Sequence, residues 1–263
     1  MKQPKQKEET EEELPGRELT EEEVKKLDES EKVKESWQPK TEIGKKVKDG
    51  EIKNIDELLD SGIRILEPEI VDLLLPNLET LALAVGQSKG KFGGGKKSIW
   101  KQTQKKTKEG NKPKFAILIA IGDKNGHIGI GYGKSKETVP ARLKALGKAK
   151  LNLIKIRRGC GSWACSCKES HSIPFKITGK EGSSEITLIP APKGTSIKTE
   201  EEVKKLLNLA GIKDVYSKTK GQTKTKLNLI KATINALEKL SKVKVPESNI
   251  KKLGLVEGST CAK

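Results

Sequence analysis

Cys160, Cys165, Cys167 and His171 fall within twelve residues of one another and offer thiolate and imidazole, the donors that hold zinc. Their spacing is not that of a zinc knuckle. No CxxC is present, and two sulfurs as close in sequence as Cys165 and Cys167 do not easily reach one tetrahedral ion. A structural zinc site and a linker of reduced thiols therefore both stay open. Cys261 lies far off in the carboxyl-terminal tail and stands apart from the cluster.

A second chemistry is suggested by Gly129-Ile130-Gly131-Tyr132-Gly133-Lys134-Ser135, because glycine-rich turns ending in Lys and Ser cradle phosphates. The spacing rejects a nucleotide site. A P-loop needs glycine where Ile128 stands, and the last glycine of the dinucleotide pattern would fall at Lys134. What remains is a strand on which Gly126, Gly129, Gly131 and Gly133 leave one face bare, as suits close approach by an RNA backbone. Catalysis finds little support: the two histidines, His127 and His171, have no evident carboxylate partner in a recognisable motif. Metal-assisted hydrolysis at the Cys/His cluster is the enzymatic alternative.

The third constellation is distributed. Lys96, Lys97, Lys101, Lys105, Lys106 and Lys108 are followed by Lys124, Asn125, Lys134 and Lys136, then Arg157 and Arg158, then Lys193, Lys218, Lys220, Lys224 and Lys226. Nearly all fall in or beside expected loops, which suggests a body embedded in nucleic acid on several sides. The formal charge of +17 agrees with a polyanionic partner. At 3% aromatic residues the chain lacks stacking platforms, so phosphates and helix shape are the expected targets. No apolar run approaches the roughly 20 residues that cross a bilayer, and the amino terminus has no signal-peptide core. A cytoplasmic location is expected, where thiols stay reduced.

The elements that would position these groups are legible in outline. Residues 1–36 read as an acidic, disordered tail; to residue 31 they hold twelve Asp and Glu against six Lys and Arg. Residues 37–95 read as a helical extension ending in a Gly-rich hinge around Gly93 and Gly94, with Asn54 opening one helix and Gly62 closing it. In the 96–159 domain, a strand over 98–104, a lysine-rich loop over 105–114, the apolar strand Phe115–Ile121 and the glycine strand form a three-stranded meander. Asp123-Lys124-Asn125-Gly126 supplies the turn between the last two. A helix follows, with Val139, Leu143, Leu146, Ala149 and Leu153 as its apolar stripe. After the 160–172 linker, residues 173–245 alternate strands over 171–178, 184–189 and 212–216 with two helices. Thr199 and Glu202 form the expected capping box of the first. Residues 246–263 read as a loosely attached tail. The fold class is α+β in two domains, the first β-β-β-α.

These stretches resemble the small-subunit ribosomal protein S-five family in its archaeal form. GDKNGHIGIGYGK with the following helix is similar to the family signature, and IPAPKGT, LAGIKDVYSKTKG and LNLIKATINAL to its second-domain motifs. RGCGSWACSC and HSIPFKITGK resemble the archaeal branch. The resemblance covers about residues 37–245. It implies a double-stranded-RNA-binding-like first domain and a second α+β domain with a left-handed crossover. It also implies a structural constituent of the small (30S) subunit that is not an enzyme and binds rRNA. Its implied neighbours are proteins of the S-four and S-eight families, and it would line the path by which mRNA enters and contribute to accuracy. The loop around Lys105–Lys108 and the hairpin Gly122–Lys134 would face rRNA. One departure stands out: Ser196 occupies a position where the family usually has glycine, so a positive φ there would be strained. Two other classes remain as alternatives, a free-standing double-stranded-RNA-binding regulator and a zinc-dependent RNA-processing enzyme.

Overall fold

The structure is a computed structural model that describes residues 37–88, 90 and 95–261. The acidic segment 1–36 and most of the Gly-rich hinge, including Gly93 and Gly94, lie outside the described residues. Helices α1 (Glu42–Lys48), α2 (Ile55–Asp60) and α3 (Pro68–Leu74) come first. Thr41 caps α1 by accepting the Gly44 N–H, and Asn54 and Gly62 bracket α2, Gly62 at φ +71°. The three helices have too little apolar surface to stand alone. Trp37, Leu58, Ile70 and Val71 instead complete one cluster with Ile117, Ile119, Ile121 and Ala145 of the first domain. Glu67 fastens the start of this wrap, accepting from Trp37 Nε1 at 2.9 Å and from the Thr41 N–H at 2.7 Å.

The first sheet is antiparallel and contains β1 (Glu79–Leu83), β2 (Lys101–Thr107), β3 (Gly110–Gly122), β4 (His127–Ser135) and β5 (Leu153–Lys155), with α4 (Thr138–Leu151) across one face. The meander is present, with two corrections. The segment expected to be purely helical extension supplies β1, which pairs with residues 118–122 of β3. The stretch 105–114 is no loop: β2 pairs with β3 from Lys101↔Ala116 to Thr107↔Gly110, making a ribbon whose residues are almost all exposed. Both faces of the ribbon are polar, so no apolar period marks it in the sequence.

Strand β6 (Arg157–Arg158) leads through the Cys/His segment to β7 (Ile177–Glu181), β8 (Ser184–Pro190), β9 (Ile197–Lys198), α5 (Glu201–Leu209), β10 (Val215–Lys220) and α6 (Lys226–Lys242). The second sheet runs β7-β8-β10-β9, with β9 parallel to β10. Helix α5 starts one residue later than the capping box implied: the Glu200 carboxylate accepts the Glu202 and Val203 N–H groups, while Thr199 Oγ1 is buried without a partner. The two domains share one core. Leu83, Leu118, Ala120 and Ile128 of the first pack with Ile186, Leu188, Leu206 and Leu237 of the second. Nor is the carboxyl tail loose. Helix α7 (Glu247–Leu253) is followed by β11 (Val256–Glu257) and β12 (Thr260–Cys261), and β11 pairs with β6.

Candidate nucleic-acid interface and metal cluster

The bare face of β4 is occupied by the chain itself. Ideal Cβ atoms at Gly129, Gly131 and Gly133 would lie 2.3, 2.0 and 2.1 Å from the carbonyl oxygens of Ala149, Ala145 and Ala141. Helix α4 therefore presses its backbone onto the strand, and its buried stripe is Ala141, Ala145 and Ala149. This corrects the expected stripe: Val139 and Leu143 are 68% and 64% exposed. It also moves the close approach expected of RNA to an internal helix. The other face of β4, with Ile128, Ile130 and Tyr132, meets the shared core. The second domain repeats the device, since a Cβ on Gly179 would lie 2.0 Å from the Ala232 carbonyl oxygen of α6.

Beneath the turn that joins β3 and β4 lies a clasp that no sequence motif marks. Asp123 Oδ1 accepts from the Asn125 and His127 N–H groups, setting the turn. His127 is fully buried, with Nδ1 2.6 Å from Asp123 Oδ2 and Nε2 2.8 Å from Asp56 Oδ1. Burial pushes the imidazole pKa down, but the two carboxylates outweigh it and raise it above its ordinary value. Both acids are held below the usual carboxylate range despite their own burial, mainly by hydrogen bonds to His127. Asp56 Oδ2 also accepts from Ser259 Oγ at 2.8 Å. His127 and its two carboxylates thus tie α2, the turn and the carboxyl tail together. Asp56 lies 71 residues away in sequence, so nothing local announces the pair.

Arg157 and Arg158 are spent inside the protein, which corrects their place among the RNA-facing residues. Arg158 is buried and donates to the carbonyls of Lys124, Asn125 and Gly258 at 3.2, 2.8 and 3.0 Å. Arg157 pairs with Glu257 and donates to the carbonyls of Leu240, Ser241 and Val243 at the end of α6. Gly126, at φ +100°, is packed against Gly258.

The lysines divide. Lys124 pairs with Glu79, Lys193 with Glu169, Lys226 with Glu200, and Lys97 donates to the Lys224 carbonyl. Lys96, Lys101, Lys105, Lys106, Lys108, Lys134, Lys136, Lys218, Lys220 and Lys224 are exposed, as is Asn125. The ribbon register gathers more charge than the expected loop would. Lys101, Lys105, Lys112 and Lys114 share one face, with Lys105 directly opposite Lys112. Lys112 and Lys114 join the basic set only through this pairing, which an apparent loop conceals.

Cys160, Cys165, Cys167 and His171 do come together: one donor atom from each lies within 4.8 Å of all the others. Cys165 Sγ is 3.8 Å from His171 Nε2, and His171 Nδ1 is held 2.9 Å from Asp214 Oδ2. The objection from the CxC spacing fails, because the sulfurs of Cys165 and Cys167 lie within 4.8 Å of each other and of the other two donors. Backbone N–H groups of Lys193 and Cys167 aim at Cys165 and lower its pKa to about 6, whereas burial pushes Cys160 up to about 11. The cluster has the donor set to hold a metal ion.

A basic α+β body with a projecting lysine ribbon, and with His127, Arg157 and Arg158 committed to internal contacts, has the make-up of a structural protein that meets a polyanion. Two family models match, that of the ribosomal protein S5 N-terminal domain over residues 99–157 and that of its C-terminal domain over residues 179–252. Among curated relatives, the small ribosomal subunit protein uS5 of Nanoarchaeum equitans is 50% identical over 225 residues, covering 86% of this chain and 96% of the relative. Those of Methanosphaera stadtmanae and Methanocaldococcus jannaschii are 47% and 45% identical, each over 85% of this chain and over 92% and 96% of the relative. The chain belongs to the ribosomal protein S5 family, and these three relatives are archaeal. The family is a structural, non-enzymatic component of the small subunit.

Proposed function

We propose that the chain is an rRNA-binding constituent of the small ribosomal subunit in the cytoplasm, and that it grips rRNA chiefly through the β2–β3 ribbon. The observation that carries this is the ribbon itself. An isolated two-stranded ribbon is marginal in water, and like charges on one face, Lys101, Lys105 and Lys114 beside the Lys112 that pairs with Glu109, destabilise it further. A polyanion relieves that repulsion, and rRNA is the polyanion that the family's place in the subunit supplies. Lys218 and Lys220 on β10, with Lys224, extend the basic surface onto the second domain.

In this reading the β-β-β-α order of the first domain serves as a double-stranded-RNA-binding-like unit, and the second domain carries a left-handed crossover. Neighbours of the S-four and S-eight families cover parts of the surface, and the chain lines the path by which mRNA enters and contributes to accuracy. An ion at the Cys3His cluster belongs to this reading as a structural zinc, because four protein donors leave no coordination position for a hydrolytic water.

The test is binding of the full chain to small-subunit rRNA across a salt series. Replacing Lys105, Lys106 and Lys112 together by alanine should weaken binding and reduce the slope of log K against log salt by about 1 for each phosphate that the removed lysines neutralise. An unchanged slope would remove the ribbon from the interface.

A further inference from the structure

We propose that Cys160, Cys165, Cys167 and His171 bind one zinc ion that fixes the connection between the two domains. The proposal rests on the cluster alone and stands whether or not the ribbon binds rRNA. Around a tetrahedral zinc with Zn–S bonds of about 2.3 Å, the sulfurs sit about 3.8 Å apart. The four donors already lie within 4.8 Å of one another, and the Cys165–His171 pair is at 3.8 Å. Closing the shell asks only for small side-chain rotations.

The surroundings fit an ion. His171 needs its Nε2 free for a metal, and Asp214 ensures that by accepting from Nδ1, which fixes the tautomer. Asp214 is itself held, since Oδ1 accepts the Ser196 N–H at 2.7 Å and its main-chain carbonyl accepts from Ser172 Oγ. Three sulfurs gathered beside one imidazole repel once ionised, and a divalent cation is what offsets that. Three thiolates and an imidazole suit zinc and disfavour calcium or magnesium, which take oxygen ligands.

The topology says what the ion would do. The Gly159 and Cys160 N–H groups bond to Ser172 and Leu253, while Lys213 and Asp214 donate to the His171 carbonyl. The cluster thus stands where the link between domains, the carboxyl-terminal helix and the start of β10 converge. Zinc would close the segment 160–171 on itself and so fix the link from which those hydrogen bonds reach the carboxyl-terminal helix and the start of β10.

The experiment is metal analysis of the full chain, purified under reducing conditions without chelator, together with cobalt substitution. One zinc per chain is expected, and the cobalt form should show the intense visible bands of tetrahedral thiolate coordination. Cys165→Ser and Cys167→Ser should each abolish stoichiometric zinc, and Cys261→Ser should retain it. Asp214→Asn, which removes no ligand, should lower zinc affinity by about 10- to 100-fold in chelator competition. Because the cobalt spectrum is taken on the unmodified chain, the proposal stays testable even if the cysteine variants fail to fold. Absence of zinc with no cobalt bands, a disulfide among the three cysteines, or full zinc retention in Cys167→Ser would overturn it.

Discussion

The ideal Cβ position of Gly131 lies 2.0 Å from the carbonyl oxygen of Ala145, so no side chain fits between β4 and α4 at that point. Real Cβ atoms do not approach a backbone oxygen so closely, and neither partner is a flexible side chain that could turn away. The glycine run is therefore a packing device, and it dictates why the facing helix residues are alanines.

Substitution at two glycines separates this role from a binding role. Gly131→Ala should destabilise the protein by about 3 kcal/mol, the upper end of what overpacking costs. In Gly147→Ala, where a Cβ meets nothing within 4 Å, stability should instead rise by about 0.5–1 kcal/mol as a helix interior loses its glycine. Urea unfolding of the two variants checks this; equal stability would mean that the strand and helix do not touch.

The clasp around His127 predicts a pH profile. Because the folded imidazole pKa is raised, its contribution is complete below the unfolded value of about 6.5 and is lost as pH rises through the folded value. Asp56 and Asp123 are shifted the other way, so their contribution is present above about 3.8 and lost as pH falls through the depressed folded values. Stability due to the clasp should therefore be flat between about pH 4 and 6.5 and decline on the alkaline side. Thermal unfolding between pH 5 and 9 measures the decline, and His127→Gln should remove it. Asp56→Asn should cost about 3 kcal/mol at pH 6, since it leaves a buried charge less well paired. A decline of the same size in His127→Gln would place its origin elsewhere.

Ser196 has φ +58°, the conformation that glycine adopts without strain. Its N–H is needed by Asp214, and that bond holds it there. Ser196→Gly keeps the N–H and relieves the backbone, so stability should hold or rise by up to about 1 kcal/mol. A loss larger than that in thermal unfolding would show that the Ser196 hydroxyl, which donates to the Thr195 carbonyl, matters more than the backbone.

What the sequence reveals and what it hides follow one physical line. Local signals succeed: the turn at Asp123–Gly126, the bracketing of α2 by Asn54 and Gly62, and the apolar strand Phe115–Ile121 all depend on residues near in sequence. Ser196 stands out only against the family pattern, and its φ of +58° bears that out. Pairings across long separations are hidden. Asp56 with His127, Asp214 with His171, and Arg158 with Gly258 become neighbours only when the sheets assemble. The stripe of α4 is misleading because small residues face the glycine strand, whereas a hydrophobicity pattern looks for large ones. Arginines beside a basic run look like RNA-binding groups, yet their planar forks suit stacked carbonyls equally well.

Sedimentation tests the central claim most directly. The full chain, expressed at native level, is followed through a sucrose gradient of cell extract at moderate salt. Co-migration with small ribosomal subunits is expected, together with a shift towards the light fractions when Lys105, Lys106 and Lys112 are replaced by alanine. Recovery of the unaltered chain only in the light fractions, away from the small subunit, would contradict the account.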